Sequence, residues 1–306
     1  MDEDSQIPFI LGMFTVSGSP AFPALVLDDE AAISIEAIAP LAARLGMALT
    51  GRDSIFGLLQ NWEHNFAALC ATVAALNDPV AGKYFRSALT AVEFLTPCAP
   101  IEAPRQILCE LTGIGRSSMP RFTGKLASTV VGPKAKIHLP KRAGKVVAEA
   151  KIGAVIGQPS YLSDAAEAAA AVAGYITVTD VTMLDGREQA WFEGKSQPSF
   201  LPTGPYFVPR AFAGETANLD INIAVNGEKS FPARLGDRSE SIETSLARLS
   251  QDYQLFPGDI ICCGIEGGPG LLGLPGLGDG DIIETAVRGL GQQTLNAMRT
   301  SDAAKA

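Results

Sequence analysis

Residues 146–157 form an almost unbroken apolar run interrupted by two charges. The run predicts a strand, and because alternate strand side chains share a face, Glu149 and Lys151 point the same way. A second strand is predicted over residues 174–180, with Asp180 where the chain leaves the sheet. Between them lies a short alanine-rich helix, capped by Ser163 or Asp164 and ended by Gly174. Leu219, Ile221, Ile223 and Val225 alternate with polar or small residues and run into Asn226-Gly227, a hairpin signal because both turn residues tolerate positive φ. Similar turns deliver apolar strands at Pro257-Gly258-Asp259-Ile260-Ile261 and Asp279-Gly280-Asp281-Ile282-Ile283.

Towards the start, residues 8–16, 23–28 and 31–36 predict short strands in a meander. The period then changes. Ile55, Leu58, Leu59, Trp62, Phe66, Leu69, Val73 and Leu76 recur every three or four residues, the apolar face of one helix capped by Asp53 or Ser54. Ile242, Leu246 and Leu249 mark another short helix. Three prolines between Thr96 and Pro104 forbid a helix there and read as a linker. The expected division is an N-terminal α/β domain over 1–105, a mainly β core over 106–292 and a flexible tail over 293–306.

Composition narrows the function. With 306 residues, 47% hydrophobic and 19% charged, the chain has the make-up of a folded protein. A net charge of −9 with no basic concentration argues against nucleic acid and anionic membrane as partners. The acidic start Met1-Asp2-Glu3-Asp4 is unlike a secretory signal, and the odd number of cysteines, five, reads as reduced thiols in a cytoplasmic protein. Within Cys262-Cys263, one thiol is expected to face in and the other out.

Several chemistries are absent. Gly268-Pro269-Gly270-Leu271-Leu272-Gly273 spells a phosphate-loop pattern, yet Pro275, Gly276 and Gly278 prevent the helix that must follow it. A nucleophilic triad needs a histidine base. His64 falls off its helix's apolar stripe and reads as solvated, and His138 is expected to pack in mid-strand. What remains is one cluster: Glu149, Lys151, Asp180 and Lys195.

From Phe94 to Gln292 the motifs resemble the fumarylacetoacetate hydrolase family. The matching pieces run in order: Ile107-Leu108-Cys109, Lys125-Leu126-Ala127-Ser128, Glu149, Val155-Ile156-Gly157, Gly174-Tyr175, Asp180-Val181-Thr182, Gly194-Lys195-Ser196, Gly204-Pro205 and Phe256-Pro257-Gly258-Asp259. The resemblance implies an α+β, mostly β fold: a coiled mixed β-roll with a smaller N-terminal domain, forming homodimers. It also implies cleavage, hydration, decarboxylation or tautomerisation of 2-oxo acids and 1,3-dicarbonyl compounds, usually with Mg²⁺ or Mn²⁺ stabilising an enolate.

This chain departs from the family's metal pattern of Glu-x-Glu plus Asp. Glu149 and Asp180 match, but Lys151 replaces the second Glu, and an ammonium cannot ligate a cation. The favoured reading puts Lys151 in the metal's place, held charged by Glu149 and Asp180, so that no cofactor is required. In the other, Lys151 swings aside and Glu110 joins Glu149 and Asp180 as a ligand. The segment from Glu110 to Pro120 lacks the family's lid histidine, the family's arginine is Leu184, and its Gly-Thr-Pro loop reads Gly264-Ile265-Glu266. Lys125 and Lys195 remain to bind an oxyanion, with Glu110, Ile265 and Glu266 beside the substrate. The expectation is an enzyme acting on an enolisable small molecule by C–C hydrolysis or lysis, hydration or tautomerisation. The alternative is a catalytically inactive binding or partner subunit.

Overall fold

The structure is a computed structural model that describes residues 6–17, 19–27, 31–76, 86–98, 106–111, 121–141, 144–184, 191–229, 233–265 and 273–299. Strands β1 (Ile10–Thr15), β2 (Phe22–Val26) and β3 (Ala31–Ser34) form the anticipated meander. The third strand stops two residues early, because Ile35 opens helix α1 (Ile35–Arg44), which the sequence reading missed. That helix contains Pro40, a residue disfavoured in helix interiors. The long predicted helix is two, α2 (Ile55–Leu59) and α3 (Trp62–Leu76). Of the two candidate caps, Ser54 does the work, its hydroxyl accepting from the Gly57 amide at 2.9 Å.

Next come β4 (Arg86–Ala88), β5 (Glu93–Phe94), β6 (Ile107–Leu111), β7 (Arg121–Lys125), β8 (Val130–Val131) and β9 (Lys136–Leu139). Strand β10 (Lys145–Ile156) then leads through α4 (Ala165–Ala171) to β11 (Val172–Leu184) and α5 (Trp191–Lys195). Asp164 caps α4 in a reciprocal pair with Glu167. Gly174 does not end that helix. It lies within β11, where an added Cβ would stand 2.3 Å from the Val208 carbonyl oxygen, so glycine is needed for close strand approach. The chain finishes with β12 (Leu201–Pro209), β13 (Asp220–Val225), β14 (Glu228–Lys229), β15 (Ala233–Arg234), α6 (Ile242–Asp252), β16 (Ile260–Cys263), β17 (Ile282–Val287) and β18 (Gly291–Arg299). The β13–β14 turn is the predicted one, with φ of 53° at Asn226 and 80° at Gly227.

The strands make a mostly antiparallel mixed sheet of twelve, ordered β4-β3-β2-β1-β12-β11-β10-β16-β6-β7 with β5 and β8 at its side, and a sheet of six built on β14-β13-β17-β18-β9. This is an α+β, mostly β architecture. Strands from either side of residue 105 share the larger sheet, since β1 pairs with β12 at Leu11 and Phe207. Its two faces are covered differently. Val155, Ile176 and Cys262 pack towards α1, α2 and α3, whereas Ile152, Ala154 and Cys263 pack towards α4 and α6, and Val146 and Val181 face the smaller sheet.

Three expectations are corrected by this layering. Cys262 and Cys263 point to opposite faces, but both faces are covered and neither thiol is exposed. His138 lies on the exposed side of β9, because Ile137 and Leu139 take the buried positions of that alternating edge strand. Residues 293–299 are the body of β18 rather than a tail, paired with β17 on one side and β9 on the other. His64, half-buried, hydrogen-bonds through Nε2 to the Ala48 carbonyl oxygen at 2.8 Å.

Candidate active site

The site forms where β10 and β11 run antiparallel with Glu149 directly opposite Asp180, and Lys151 two residues along the same face. Two further lysines arrive from elsewhere. Lys125 comes from the end of β7, and Lys195 from the end of α5. Gly194 allows α5 to press onto β11, because a Cβ there would stand 2.5 Å from the Met183 carbonyl oxygen.

Asp180 is the hub. Its Oδ1 lies 2.7 Å from Lys125 Nζ, and its Oδ2 lies 2.7 Å from Lys151 Nζ and 2.6 Å from Lys195 Nζ. Glu149 Oε2 stands farther off, 3.6 Å from Lys151 and 3.9 Å from Lys195. Lys125 also donates to the carbonyl oxygens of Phe200 at 2.5 Å and Val181 at 3.1 Å. Lys151 also donates to the Glu110 carbonyl oxygen, and Lys195 lies 2.8 Å from the Thr182 hydroxyl. The side chains of the three lysines and Asp180 are fully buried, while that of Glu149 is 11% exposed.

Among the described residues, three ammoniums face two carboxylates, one positive charge in excess before the nearby Cys109 thiol, itself lowered in the fold, is counted. Burial alone would raise the Asp180 carboxyl, but Lys125, Lys151 and Lys195 outweigh it and hold the group well below the usual carboxylate range. Burial would lower Lys151, but Asp180 and Glu149 overcome it and hold its ammonium well above the ordinary value. At Lys195 the balance tips the other way. Burial, with repulsion from Lys151 and Lys125, prevails over Asp180 and Glu149, and the amine is lowered.

Glu110 is placed differently from the expectation of a ligand or substrate contact. Alternation along β6 turns its side chain to the face opposite Cys109, where Arg238 grips it with both nitrogens at 2.6 and 3.0 Å. The same guanidinium donates to the Gly264 carbonyl oxygen and to Ser245 Oγ at 3.0 Å, and the Gly264 amide returns a bond to Glu110 at 3.0 Å. Glu110 thus meets the lysine cluster through its carbonyl, not its carboxylate. Arg238 was missed by the sequence reading, since its partner is 128 residues away and no local motif announces it. Lys125, expected as a substrate contact, is an integral member of the cluster. Ile265 is partly buried against the α6-side core, Leu184 is partly buried beside Val147, and Glu266 and the predicted lid segment at 112–120 lie outside the described residues.

These residues do not fit a divalent ion. Each oxygen of Asp180 already faces an ammonium, Glu149 faces two, and Glu110 is committed on the reverse face. Among the described residues no group of three or more histidine, cysteine, aspartate or glutamate side chains is arranged to hold a metal. No described helix is long and apolar enough to cross a membrane.

Fold and site together define a class: a mixed β-roll whose paired central strands carry a buried acid–amine cluster. Residues 110–296, more than half the chain, match the model of the fumarylacetoacetate hydrolase C-terminal domain, and the protein belongs to that family. It is 30% identical over 212 residues to a mitochondrial oxaloacetate tautomerase of Bos taurus, covering 64% of this chain and 68% of that one. It is 29% identical over 180 residues to a 2,4-didehydro-3-deoxy-L-rhamnonate hydrolase of Sphingomonas sp. (strain SKA58), covering 57% of this chain and 63% of that one. The chain therefore spans about two thirds of these relatives or somewhat less. Among solved structures it superposes on the maleylpyruvate hydrolase of Sphingobium sp. SYK-6, in complex with manganese(II) and pyruvate, with a TM-score of 0.74. That match is 23% identical and covers 95% of this chain and all of the other.

Proposed function

We propose that this protein is an enzyme acting on a small enolisable carbonyl compound, a 1,3-dicarbonyl or 2-oxo compound, and that its lysines stabilise the enolate where relatives use a divalent ion. The observation that carries the reading is the excess positive charge of a buried cluster built around Asp180. A buried unpaired positive charge is unfavourable, and an anion that forms beside it relieves the cost. Oriented ammoniums in a site closed to water act on developing charge without reorganisation. Lys151 and Lys195 polarise the carbonyl oxygen and hold it as the enolate grows. Glu149, on the solvent side, moves the α-proton. Asp180 stays ionised and fixes the three amines.

The relatives' names support this substrate class. Oxaloacetate is a 2-oxo acid whose tautomerisation passes through an enol, and the rhamnonate-derived relative is a hydrolase. Tautomerisation, hydration or lysis fits better than full hydrolysis, since the sequence lacks the lid histidine that would activate water. The complete burial of the three amines and Asp180 favours a second reading, in which the cluster is inert and the chain serves as a binding subunit.

One experiment separates the two. Chelator-treated protein is assayed by ultraviolet absorbance for enol–keto conversion of oxaloacetate and for cleavage of acylpyruvates, with and without added Mg²⁺. The expected outcome is turnover unaffected by chelator and lost in Lys151→Ala with folding intact. Turnover that depends on Mg²⁺ would refute the lysine-for-metal chemistry, and no turnover of any such compound would favour the binding subunit.

A further inference from the structure

The pairing of β6 with β16 stops one step short of where its hydrogen bonds would carry it. Ile260 donates to the Gln106 carbonyl oxygen at 3.0 Å, and the parallel register runs on through Ile261 with Leu108 to Cys262 with Cys109. Such bonds advance by two residues on each strand, so Gly264 is the residue whose amide should reach the Glu110 carbonyl. It does not. The Gly264 amide donates to the Glu110 carboxylate at 3.0 Å, and the Glu110 carbonyl oxygen accepts from the Lys151 ammonium. A side chain thus replaces its own main chain as the acceptor, and the buried carbonyl left over is satisfied by an amine.

Gly264 is held at both of its polar groups. Arg238 donates to its carbonyl oxygen while gripping both oxygens of Glu110, so one guanidinium fixes the carboxylate and the glycine against each other. The guanidinium also donates to the Glu240 carbonyl oxygen at 3.2 Å and to Ser245 Oγ at 3.0 Å. The Arg238 and Glu110 side chains are each 1% exposed, so solvent does not compete for them. On the other side of β16, Ile152 pairs with Cys263, which puts Lys151 level with Gly264 where that strand ends. Asp180 sets one direction for the Lys151 amine and the Glu110 carbonyl sets a second.

We propose that Glu110 and Arg238 are positioning residues of this site, which aim the Lys151 ammonium by splitting the β6–β16 ladder and leaving it the Glu110 carbonyl. They act through Lys151 rather than on the substrate. Without the carboxylate, the Gly264 amide returns to the residue-110 carbonyl and competes with Lys151 for it. The amine is then left to Asp180 and the more distant Glu149. The inference rests on the reading of Lys151 as a stabiliser of the enolate and names what holds it from the opposite face of the sheet.

The test compares two full-length double variants that differ in one respect. The ion pair becomes an uncharged pair in each: Glu110→Gln with Arg238→Met, or Glu110→Leu with Arg238→Met. The glutamine oxygen can still accept from the Gly264 amide, and leucine cannot. Exchanging a buried ion pair for uncharged side chains of similar volume is often close to neutral, so both should fold with similar urea midpoints. Oxaloacetate enol–keto conversion is followed by ultraviolet absorbance, and each protein is crystallised. The glutamine variant should keep kcat within about threefold of wild type, because the acceptor remains. The leucine variant should lose at least about tenfold in kcat with KM little changed, since removing one oxyanion-site donor costs about 10²–10³. Its crystals should show the Gly264 amide on the residue-110 carbonyl oxygen and the Lys151 amine displaced from it. Equal kcat in the two folded variants overturns the proposal, because a merely structural pair would affect both alike. A leucine variant with Lys151 unmoved overturns it too. If the leucine variant does not fold, the glutamine variant decides: kept kcat with the Gly264 amide on the glutamine oxygen supports the proposal, and a loss of about tenfold overturns it. If wild type turns nothing over, the enolate reading fails, and displacement of Lys151 in the leucine variant upholds the positioning while its absence overturns it.

Discussion

Replacing Asp180 with asparagine strips the hub charge from three buried ammoniums at once, while replacing Lys151 with methionine removes one ammonium from an overcharged set. The two changes should therefore differ in size. In Asp180→Asn, three side chains with no exposure lose their nearest counter-charge, at 2.7, 2.7 and 2.6 Å, and only the more distant Glu149 remains. Breaking a buried pair by removing one partner costs about 3–5 kcal/mol. At about 2–4 °C per kcal/mol for a chain of a few hundred residues, the midpoint of thermal unfolding falls by roughly 6–20 °C. In Lys151→Met, two ammoniums face two carboxylates in a neutral set, and methionine fills the space of the lysine stem. Exchanging one of three ammoniums for an apolar side chain leaves each carboxylate a counter-charge and should cost much less, within about 1.5 kcal/mol of wild type. Urea unfolding followed by tryptophan fluorescence, with calorimetry for the midpoint, reads both. The reasoning is refuted if Lys151→Met loses as much stability as Asp180→Asn, because the cluster would then not be overcharged.

Stability should depend on pH with two opposite signs. Lys195, lowered in the fold, makes stability rise with pH between its folded value and the unfolded 10.5, whereas Lys151, raised, contributes stability that is full below 10.5 and lost only as pH climbs through its higher folded value. Urea midpoints from pH 7 to 11 should rise towards 10.5 in wild type and lose that rise in Lys195→Met. Asp180, depressed in the fold, contributes stability present above the unfolded carboxylate value and lost only as pH falls through its lower folded one, so Asp180→Asn should flatten acid unfolding below pH 3.8. Lys151→Glu removes the occupying amine and adds a carboxylate beside Glu149, so the variant should bind Mn²⁺ one to one by electron paramagnetic resonance. Equal binding by wild type would mean that Lys151 does not fill the site. Arg238→Leu leaves Glu110 buried without its partner and should cost about 3–5 kcal/mol, whereas Glu110→Gln with Arg238→Met should recover much of that in calorimetry.

How far the sequence could be read follows from the range over which each interaction acts. Alternation is local, so it placed Glu149 and Lys151 on one face, and the paired strand then set Asp180 opposite Glu149. The Asn226-Gly227 turn and the α3 stripe are equally local and were legible for that reason. The third ammonium was legible only as a residue type. Lys125 is 55 residues from Asp180 and lies on β7, beyond β16 and β6 in the sheet order, so the sequence named it as a free cation instead of a partner. Glu110 was misplaced by a single-residue matter of parity: Cys109 and Glu110 alternate across β6, and no local pattern says which face carries the amines. Arg238 sits in a short turn with no periodicity, and the chain tethers it to Glu110 only through α6 and β16. This second ion pair supports the first of the two readings left open by the sequence. With Arg238 holding Glu110 on the far face, a carboxylate that could have helped ring a divalent ion is engaged elsewhere, and Lys151 takes its hydrogen-bond acceptor from the Glu110 backbone. The exchange of an acid for an amine at residue 151 and the capture of Glu110 are thus one physical arrangement seen from the two faces of the same sheet.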